Sequence, residues 1–297
     1  MITDTRTAQK IGGRMKIGVV FPQTEIGSDP ATISRFATTA ESLGYDHILA
    51  YDHILGASTQ SRPDWQGPYT SESMFHEPLV LFSYLAGLTK TIEFVTGVII
   101  LPQRQTAVVA KQAACVDVLS NGRLRLGIGT GRNEVEYDCL DENFNDRGIR
   151  SEEQIDLLRQ LWKDEAITFE GKWHQITDAG LNPLPPNKNI PIWLGGMAPQ
   201  VIDRVARLAD GWFPFVNKEL GSQIQQMIER AKVAERDPST IGIETMVPLD
   251  TTVDKIKSLQ DLGVTQVAIV TMNQSLENPE KHIDAIKRTR ENLAAYF

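Results

Sequence analysis

The stretch Leu124-Arg-Leu-Gly-Ile-Gly-Thr-Gly-Arg-Asn133 decides the fold, because a short apolar strand runs directly into glycines and then into an acidic, helix-like segment. Its glycines occupy every second position, so one face of the strand end carries no side chains. A flat ring or a phosphate could approach such a backbone closely, although a β-bulge or a tight barrel corner also uses glycine. The dinucleotide fingerprint G-x-G-x-x-G is not completed, because Arg132 and Asn133 follow the last glycine. The segment indicates a strand end that faces a ligand.

Short Val, Ile and Leu runs alternate with longer amphipathic segments from Met15 onward, which is the pattern of βα units around a parallel sheet. We predict eight strands, at residues 17–21, 47–50, 92–99, 124–128, 190–194, 211–215, 241–246 and 265–270. Between them we predict eight helices, at residues 31–43, 78–88, 106–119, 151–162, 199–209, 220–235, 252–262 and 279–295. This order favours an α/β fold of the closed (β/α)8 TIM-barrel type over an open, doubly wound sheet.

A barrel of this kind commonly uses a chain of about this length, 297 residues, as one domain. We expect residues 15–297 to form that domain and the polar residues 1–14 to be a disordered extension. Two insertions break the alternation. Residues 56–77 follow the second strand and have the composition of a lid or binding loop, and residues 166–176, between strands four and five, predict a hairpin that turns at Gly171-Lys172.

Charge and composition exclude several classes of partner. The formal net charge of −8 argues against nucleic acid or an anionic membrane surface as the main partner. No apolar run approaches the roughly 20 residues of a spanning helix, and no signal-peptide core is present. Cys115 and Cys139 are isolated and have no metal-ligand spacing, which fits a reducing compartment, so we expect a cytoplasmic protein without a bound metal.

The working residues of a βα barrel lie at the carboxyl ends of its strands. Asp52 and His53 follow the second strand and offer a carboxylate beside a side chain that titrates near neutrality; a buried, structurally satisfied histidine is the alternative. Gly97 interrupts the third strand and indicates a bulge or a packing contact, and Arg104 beyond it would meet a phosphate or lie in solvent. Gly195-Gly196 precede a helix whose N-terminus could bind phosphate. No nucleophile elbow, H-E-x-x-H or P-loop motif occurs, and no strand end carries the lysine that a Schiff-base aldolase would need.

Five segments in this order resemble the bacterial luciferase-like superfamily, and more closely its branch that depends on the deazaflavin coenzyme F420. They are Lys16-Ile-Gly-Val-Val-Phe-Pro22, Gly44-Tyr-Asp-His-Ile-Leu-Ala-Tyr-Asp-His53, Thr96-Gly-Val98, Gly122-Arg-Leu-Arg-Leu-Gly-Ile-Gly-Thr-Gly131 and the block from Trp193-Leu-Gly-Gly196 to Ala209-Asp-Gly-Trp212. The resemblance covers residues 15–297. It implies a flavin or deazaflavin ring at the carboxyl ends of the strands, a cytoplasmic homodimer and a small-molecule substrate.

The resemblance also assigns roles to residues. It places Asp52 and His53 beside the ring as catalytic residues, with Asp52 tuning His53, and a non-proline cis peptide at Gly97-Val98 under one face of the ring. It implies a cofactor-binding set of Thr96, Gly97, Val98, Gly129, Thr130, Gly131, Arg132, Gly195, Gly196 and Met197. Many relatives have tryptophan where this chain has Arg132, which would face the phosphate or polyglutamate tail or pair with Glu134 or Glu136.

The expected function is hydride transfer between coenzyme F420 and a small organic substrate. Two alternatives remain. One is an FMN-dependent monooxygenase that receives reduced flavin from a partner reductase and uses O2, and the other is a non-catalytic flavin-binding barrel. Four aromatic residues of the insertions are candidates for a substrate pocket, although they would serve equally as subunit contacts or core: Trp65, Tyr69, Phe75 and Trp173.

Overall fold

A closed parallel barrel forms the body of the molecule, as seen in a computed structural model that describes residues 14–67, 69–276 and 278–297. The strands within these residues are β1 (Lys16–Val20), β2 (His47–Ala50), β3 (Glu93–Thr96), β4 (Ile99–Ile100), β5 (Leu124–Gly129), β6 (Ile167–Glu170), β7 (Gln175–Ala179), β8 (Ile192–Gly195), β9 (Gly211–Phe213), β10 (Gly242–Pro248) and β11 (Gln266–Val270). The sheet order is β3-β2-β1-β11-β10-β9-β8-β5-β4, and the pairing of β3 with β5 closes the ring. The predicted (β/α)8 barrel is confirmed.

The third barrel strand is split into β3 and β4 by a bulge. Phe94 pairs with Leu124, and Ile99 pairs with Ile128. The split strand therefore advances by five residues where β5 advances by four, which leaves one extra residue in the bulge. The Gly97-Val98 peptide between the two pieces is cis, as the family resemblance implied. The bulge predicted at Gly97 is therefore confirmed, and it displaces the end of this strand relative to the glycines of β5.

Helices surround the barrel. Those in the described residues are α1 (Pro30–Ser42), α2 (Pro78–Ala86), α3 (Thr106–Ser120), α4 (Glu134–Cys139), α5 (Arg147–Lys163), α6 (Pro199–Leu208), α7 (Leu220–Val233), α8 (Val253–Asp261) and α9 (Pro279–Asn292). Several begin with proline after a side-chain cap; for example, the Asp29 carboxylate accepts a hydrogen bond of 2.9 Å from the Thr32 N–H. The short helix α4 is additional to the eight predicted helices, and α5 begins four residues before its predicted start.

The hairpin predicted in the second insertion is present as β6 and β7, which pair antiparallel around Gly171-Lys172. The expected extension, residues 1–14, falls outside the described residues except for Arg14, which forms an ion pair of 2.5 Å with Asp46. None of the described helices combines the length and the apolar character that a membrane crossing requires.

Two layers of different chemistry fill the barrel. Near the amino ends of the strands, the buried His47, Arg125 and Glu244 form an ionic cluster beside the indole of Trp193. Above it, towards the carboxyl ends, lies an apolar layer made of Val20, Leu49, Val95, Ala268 and Met272, with Tyr51, Phe213, Met246 and Val270 packed against it. The apolar layer forms the floor of the strand-end region where the predicted site lies.

The indole of Trp193 occupies the space above two glycines. A Cβ atom added to Gly211 would lie 2.1 Å from Trp193 Cδ2, and one added to Gly242 would lie 2.5 Å from its Cη2. Both distances are far below van der Waals contact, so the indole fits only because neither neighbour has a side chain.

Candidate active site

His53 lies directly after β2, with its imidazole between a carboxylate and two aromatic rings. Its Nδ1 is 3.4 Å from Glu136 Oε2. The rings of Tyr69 and Phe75 contact it edge-to-face, with centroid distances of 4.8 and 5.0 Å, and lie 4.6 Å from each other. The His53 side chain is 22% exposed, so it is held in place yet remains accessible from the strand-end face of the barrel.

Glu136, on α4, fixes this arrangement. Its Oε1 accepts hydrogen bonds from the Ile54 and Leu55 N–H groups at 2.7 and 3.2 Å, and its Oε2 accepts one of 3.3 Å from Gln103 Nε2. Burial raises the pKa of Glu136, but hydrogen bonds from His53 and the two backbone N–H groups outweigh it and hold the pKa below its usual range. The carboxylate is therefore ionised at neutral pH and stabilises a proton on the facing imidazole nitrogen.

Sequence reasoning considered Glu136 only as a partner for Arg132. The pattern Asn133-x-x-Glu136 was a usable signal, because a glutamate three residues after an N-cap commonly bonds back to the cap. Asn133 does cap α4, accepting a 3.4 Å bond from the Glu136 N–H. The glutamate side chain reaches the loop after β2 instead of the cap, so the pattern indicates the start of α4 but not the contact of Glu136 with His53.

Asp52 is buried and bonds away from His53. Its Oδ1 is 2.7 Å from Arg104 Nη2, and its Oδ2 accepts a 3.1 Å hydrogen bond from the Ile100 N–H. Arg104 also bonds Glu77 at 2.8 Å, so it neither lies in solvent nor is left free for a phosphate. The expected tuning of His53 by Asp52 does not match these contacts: Glu136 provides the carboxylate facing the imidazole, while Asp52 ties the loop after β2 to β4 and, through Arg104, to the N-cap residue of α2.

The glycines of the strand ends are packed against Val98. A Cβ on Gly129 would lie 2.5 Å from Val98 Cγ2, and one on Gly195 would lie 3.0 Å from Val98 Cγ1. The bare face of β5 is thus partly filled by the residue after the cis peptide and is not an open platform. Thr96 is also committed, because its hydroxyl bonds both the N–H and the carbonyl of Gly127 at 2.8 Å.

The turn after β8 leads from Gly196 into α6, and its Gly196 N–H donates to the Phe213 carbonyl at 3.5 Å. Gly196 has φ +123°, a conformation that favours glycine, and its carbonyl accepts a 2.7 Å bond from Trp212 Nε1. Among the residues that the structure describes, no side chain caps the first turn of α6, whose N-cap residue is Ala198. Met197 Sδ accepts a 3.4 Å bond from the Phe215 N–H, which links this turn to the end of β9. An uncapped helix start behind a glycine turn is suited to an anionic group.

Of the four candidate pocket aromatics, Tyr69 and Phe75 contact His53, Trp65 is linked to Tyr69, and Trp173 lies elsewhere. Trp65 donates a 2.9 Å hydrogen bond to the Tyr69 carbonyl, which joins it to the Tyr69–Phe75 pair. Trp173, on the hairpin, bonds Asp146 Oδ2 through its indole N–H at 3.2 Å and lies under Lys172. None of the described contacts connects Trp173 to His53.

A sequence profile of the luciferase-like monooxygenase family matches residues 15–293. The chain therefore belongs to that family and is a luciferase-like oxidoreductase. It is 30% identical to an F420-dependent hydroxymycolic acid dehydrogenase of Mycobacterium tuberculosis over 76% of this chain and 60% of that protein. It is 28% identical to an FMNH2-dependent dimethylsulfone monooxygenase of Pseudomonas fluorescens over 96% of this chain and 78% of that protein. The coenzyme F420-dependent tetrahydromethanopterin reductase of Methanopyrus kandleri shares its fold, with a TM-score of 0.75, 17% identity and coverage of 96% of this chain and 100% of that one.

Proposed function

We propose that this oxidoreductase transfers a hydride between coenzyme F420 and a small organic substrate. The observation that carries the proposal is the His53 imidazole, accessible at the strand ends and backed by the buried, ionised Glu136. An F420-dependent dehydrogenase among the relatives supports the choice of coenzyme. A barrel that only bound flavin would have no use for an accessible histidine backed by an ionised glutamate, which speaks against the non-catalytic alternative.

The residues present fit a deazaflavin or flavin. The apolar layer would lie beneath the ring, and the cis peptide at Gly97-Val98, with Thr96 bracing it, would support one face. Backbone of Gly129, Thr130 and Gly131 and of Gly195, Gly196 and Met197 would hold the tail, with the phosphate at the uncapped start of α6. When bound, the deazaflavin would supply the hydride chemistry.

The protein contributes position, proton transfer and exclusion of water. Because Glu136 faces Nδ1 of His53, it favours the tautomer protonated there, which leaves Nε2 to exchange a proton with the substrate oxygen. Asp52 holds the loop that carries His53 through its bonds to Arg104 and Ile100. Trp65, Tyr69 and Phe75 would line the substrate side and exclude water from the transfer.

Replacing His53 by alanine should lower coenzyme-dependent turnover by about 10²- to 10⁴-fold, because proton transfer to the substrate oxygen is lost. Coenzyme affinity, measured by quenching of tryptophan fluorescence, should stay within a few-fold. His174→Ala is the matched control: His174 also pairs with a glutamate, Glu153 at 2.8 Å, but on the hairpin. Wild-type turnover in His53→Ala would overturn the assignment.

An FMN-dependent monooxygenase with a partner reductase is the second candidate, favoured by the similarity to the dimethylsulfone enzyme. Anaerobic titration with each coenzyme separates the two, because quenching by F420 and not by reduced FMN supports the first and the reverse supports the second. Both free cysteines, Cys115 and Cys139, are consistent with the proposed cytoplasmic location.

We also propose that the barrel of residues 15–297 acts as one unit and forms a homodimer through α2 and α3. Val80 and Tyr84 on α2 and Leu88 just beyond its end are spaced four residues apart and are 65%, 44% and 43% exposed, and Val108 and Leu119 on the neighbouring α3 are exposed too. An apolar face of this extent is typical of an interface. Val80→Glu should halve the mass measured by light scattering, whereas an unchanged dimer would exclude this face.

A further inference from the structure

The two insertions are attached to the barrel in different ways. The hairpin of the second insertion contributes the buried Ile167 and Phe169 to the main apolar core. Its turn is bound to α5, because the Glu153 carboxylate accepts hydrogen bonds of 2.7, 2.9 and 3.0 Å from the N–H groups of residues 172–174. The hairpin is therefore fixed to the body of the molecule both by apolar burial and by hydrogen bonds.

The first insertion lacks such an attachment between its ends. In its described residues 56–67 and 69–75, only Ala57 is buried, and no residue belongs to the main core or to the apolar layer. The hydrogen bonds formed by these residues stay inside the insertion as far as the structure describes it; for example, the Ser71 N–H donates to the Ala57 carbonyl at 3.0 Å. A segment with so little burial has a low local stability.

Both ends of this insertion are anchored. At its start, the N–H groups of residues 54 and 55 donate to the Glu136 carboxylate. At its end, the His76 N–H donates a 2.9 Å hydrogen bond to Gln23 Oε1. A segment that is fixed at both ends and loosely held between them can move as a unit about those ends.

The contacts that hold the segment against the barrel are made with His53. The rings of Tyr69 and Phe75 lie edge-to-face on the imidazole, at 4.8 and 5.0 Å, and contact each other at 4.6 Å. Among the described residues, no other ring contact and no ion pair joins the segment to the barrel. The two rings therefore occupy the side of the imidazole that they cover and leave no space there for another molecule.

We infer that residues 56–67 and 69–75 form a lid that is closed in this structure and is held closed by the contacts of Tyr69 and Phe75 with His53. Opening separates the two rings from the imidazole and admits a substrate to the side that they cover, and closing then excludes water. The inference goes beyond the proposed reaction, because it concerns access to His53 and requires no particular substrate or coenzyme.

Limited digestion of the full-length protein with chymotrypsin, without coenzyme or substrate, tests the lid. The protease cleaves after aromatic residues, and both insertions contain such sites: Trp65, Tyr69 and Phe75 in the lid, and Phe169 and Trp173 in the hairpin. Cleavage of a folded protein requires local opening, so its rate follows the population of the open form. We expect mass spectrometry to show cleavage in the lid at least about tenfold faster than cleavage in the hairpin.

The role of His53 in closing the lid is tested by His53→Ala. Without the imidazole both edge-to-face contacts are lost, so cleavage in the lid should become about tenfold faster, and cleavage in the hairpin should keep its rate. His174→Ala is the matched control, because it also removes an imidazole that pairs with a glutamate, but from the hairpin. It should leave the rate of cleavage in the lid at the wild-type value.

Two results would overturn the inference. Cleavage of the wild-type hairpin as fast as cleavage of the first insertion would show that residues 56–75 are held as firmly as the hairpin and form no lid. An unchanged rate of cleavage in the first insertion of His53→Ala would show that the contacts with His53 do not hold it closed. Neither measurement depends on turnover, so each can succeed or fail independently of the proposed reaction.

Discussion

Two histidine–glutamate pairs stand at opposite ends of β2, and they are built for different purposes. His47, at the start of the strand, is 2.7 Å from Glu244, and both side chains are 0% exposed. His53, just after its end, is 3.4 Å from Glu136 and is accessible. The lower glutamate is also paired with Arg125 at 2.5 Å, whereas the upper glutamate is held by backbone N–H groups. The same two residue types form a closed ionic cluster at one end and a group that can exchange protons at the other.

The surroundings account for this difference. Arg125 stacks on the Trp193 indole at 4.3 Å and pairs with Glu244, so the lower pair is enclosed by side chains. A cavity of about 330 Å³ lies on its other side, at the amino ends of the strands. The upper pair has aromatic rings on one side and an open face on the other. His47 Nδ1 has no hydrogen-bond partner among the described residues, so it is complete burial, and not pairing of both nitrogens, that keeps the lower histidine from exchanging protons with a ligand, whereas His53 is 22% exposed.

The largest expected effect is on stability at the lower pair. Glu244→Gln should lower the free energy of unfolding by about 3–5 kcal/mol, because it leaves Arg125 buried without its counter-charge. Burial alone would raise the pKa of Glu244, but Arg125 and His47 hold it at about 2, so the wild-type contribution is complete above the unfolded value of 4.5 and is lost as pH falls towards 2. Chemical denaturation of the wild type and Glu244→Gln from pH 7 to 3 should show that the difference between their free energies of unfolding becomes smaller below pH 4.5. A difference that stays constant with pH would contradict an ionic origin of the effect.

The upper pair should respond in activity rather than in stability. Glu136→Gln keeps a hydrogen-bonding side chain but removes the charge facing His53, and we expect turnover to fall about tenfold with a smaller loss of unfolding free energy than at Glu244. The readout that separates positioning from packing is the comparison of kcat with the free energy of unfolding in the same variant, because loss of the charge facing His53 should lower kcat by more than a loss of packing explains. A wild-type kcat in a less stable Glu136→Gln variant would show that Glu136 only packs against the loop.

A smaller effect is expected at Asp117, which lines the lower cavity. Burial raises its pKa to about 6, even though the Leu124 N–H donates to it. A carboxyl whose folded pKa exceeds the unfolded 3.8 stabilises the fold when protonated, so this contribution is lost as pH rises from about 4 through 6. Asp117→Asn should raise the melting temperature by about 2–4 °C at pH 8 and have no effect at pH 4. An equal change in melting temperature at pH 8 and pH 4 would show that the effect does not come from ionisation of Asp117.

The barrel could be predicted from the sequence because each strand and helix has its own local pattern of apolar residues. Each strand is a short apolar run and each helix has a capped, amphipathic pattern, and the interruption at Gly97 was visible as a glycine in a β-branched run. Helix α4 was visible only as an acidic, helix-like segment after the glycines and was not counted among the eight helices, because six residues are too few for a helical period to stand out. The candidate histidine followed from the rule that barrels work at their strand ends.

The partners of His53 could not be read in the same way. Adjacency in sequence favoured Asp52, yet successive residues after a strand point in different directions, and the carboxylate that faces the imidazole comes from a segment more than 80 residues away. The glycines of β5 were read as space for a ligand, whereas Val98 of the neighbouring strand fills part of that space. Contacts between distant segments depend on how strands are staggered around the barrel, and no local pattern encodes that stagger.

Because the indole of Trp193 lies against both Gly211 and Gly242, substitutions at these three positions depend on one another. Alanine at either Gly211 or Gly242 is incompatible with the indole, so a side chain can enter those strands only after residue 193 becomes smaller. A smaller residue there would leave a hole beside Arg125 until a neighbour filled it. The three positions should therefore vary together among homologues, and any library that redesigns the base of this barrel should randomise them as a set.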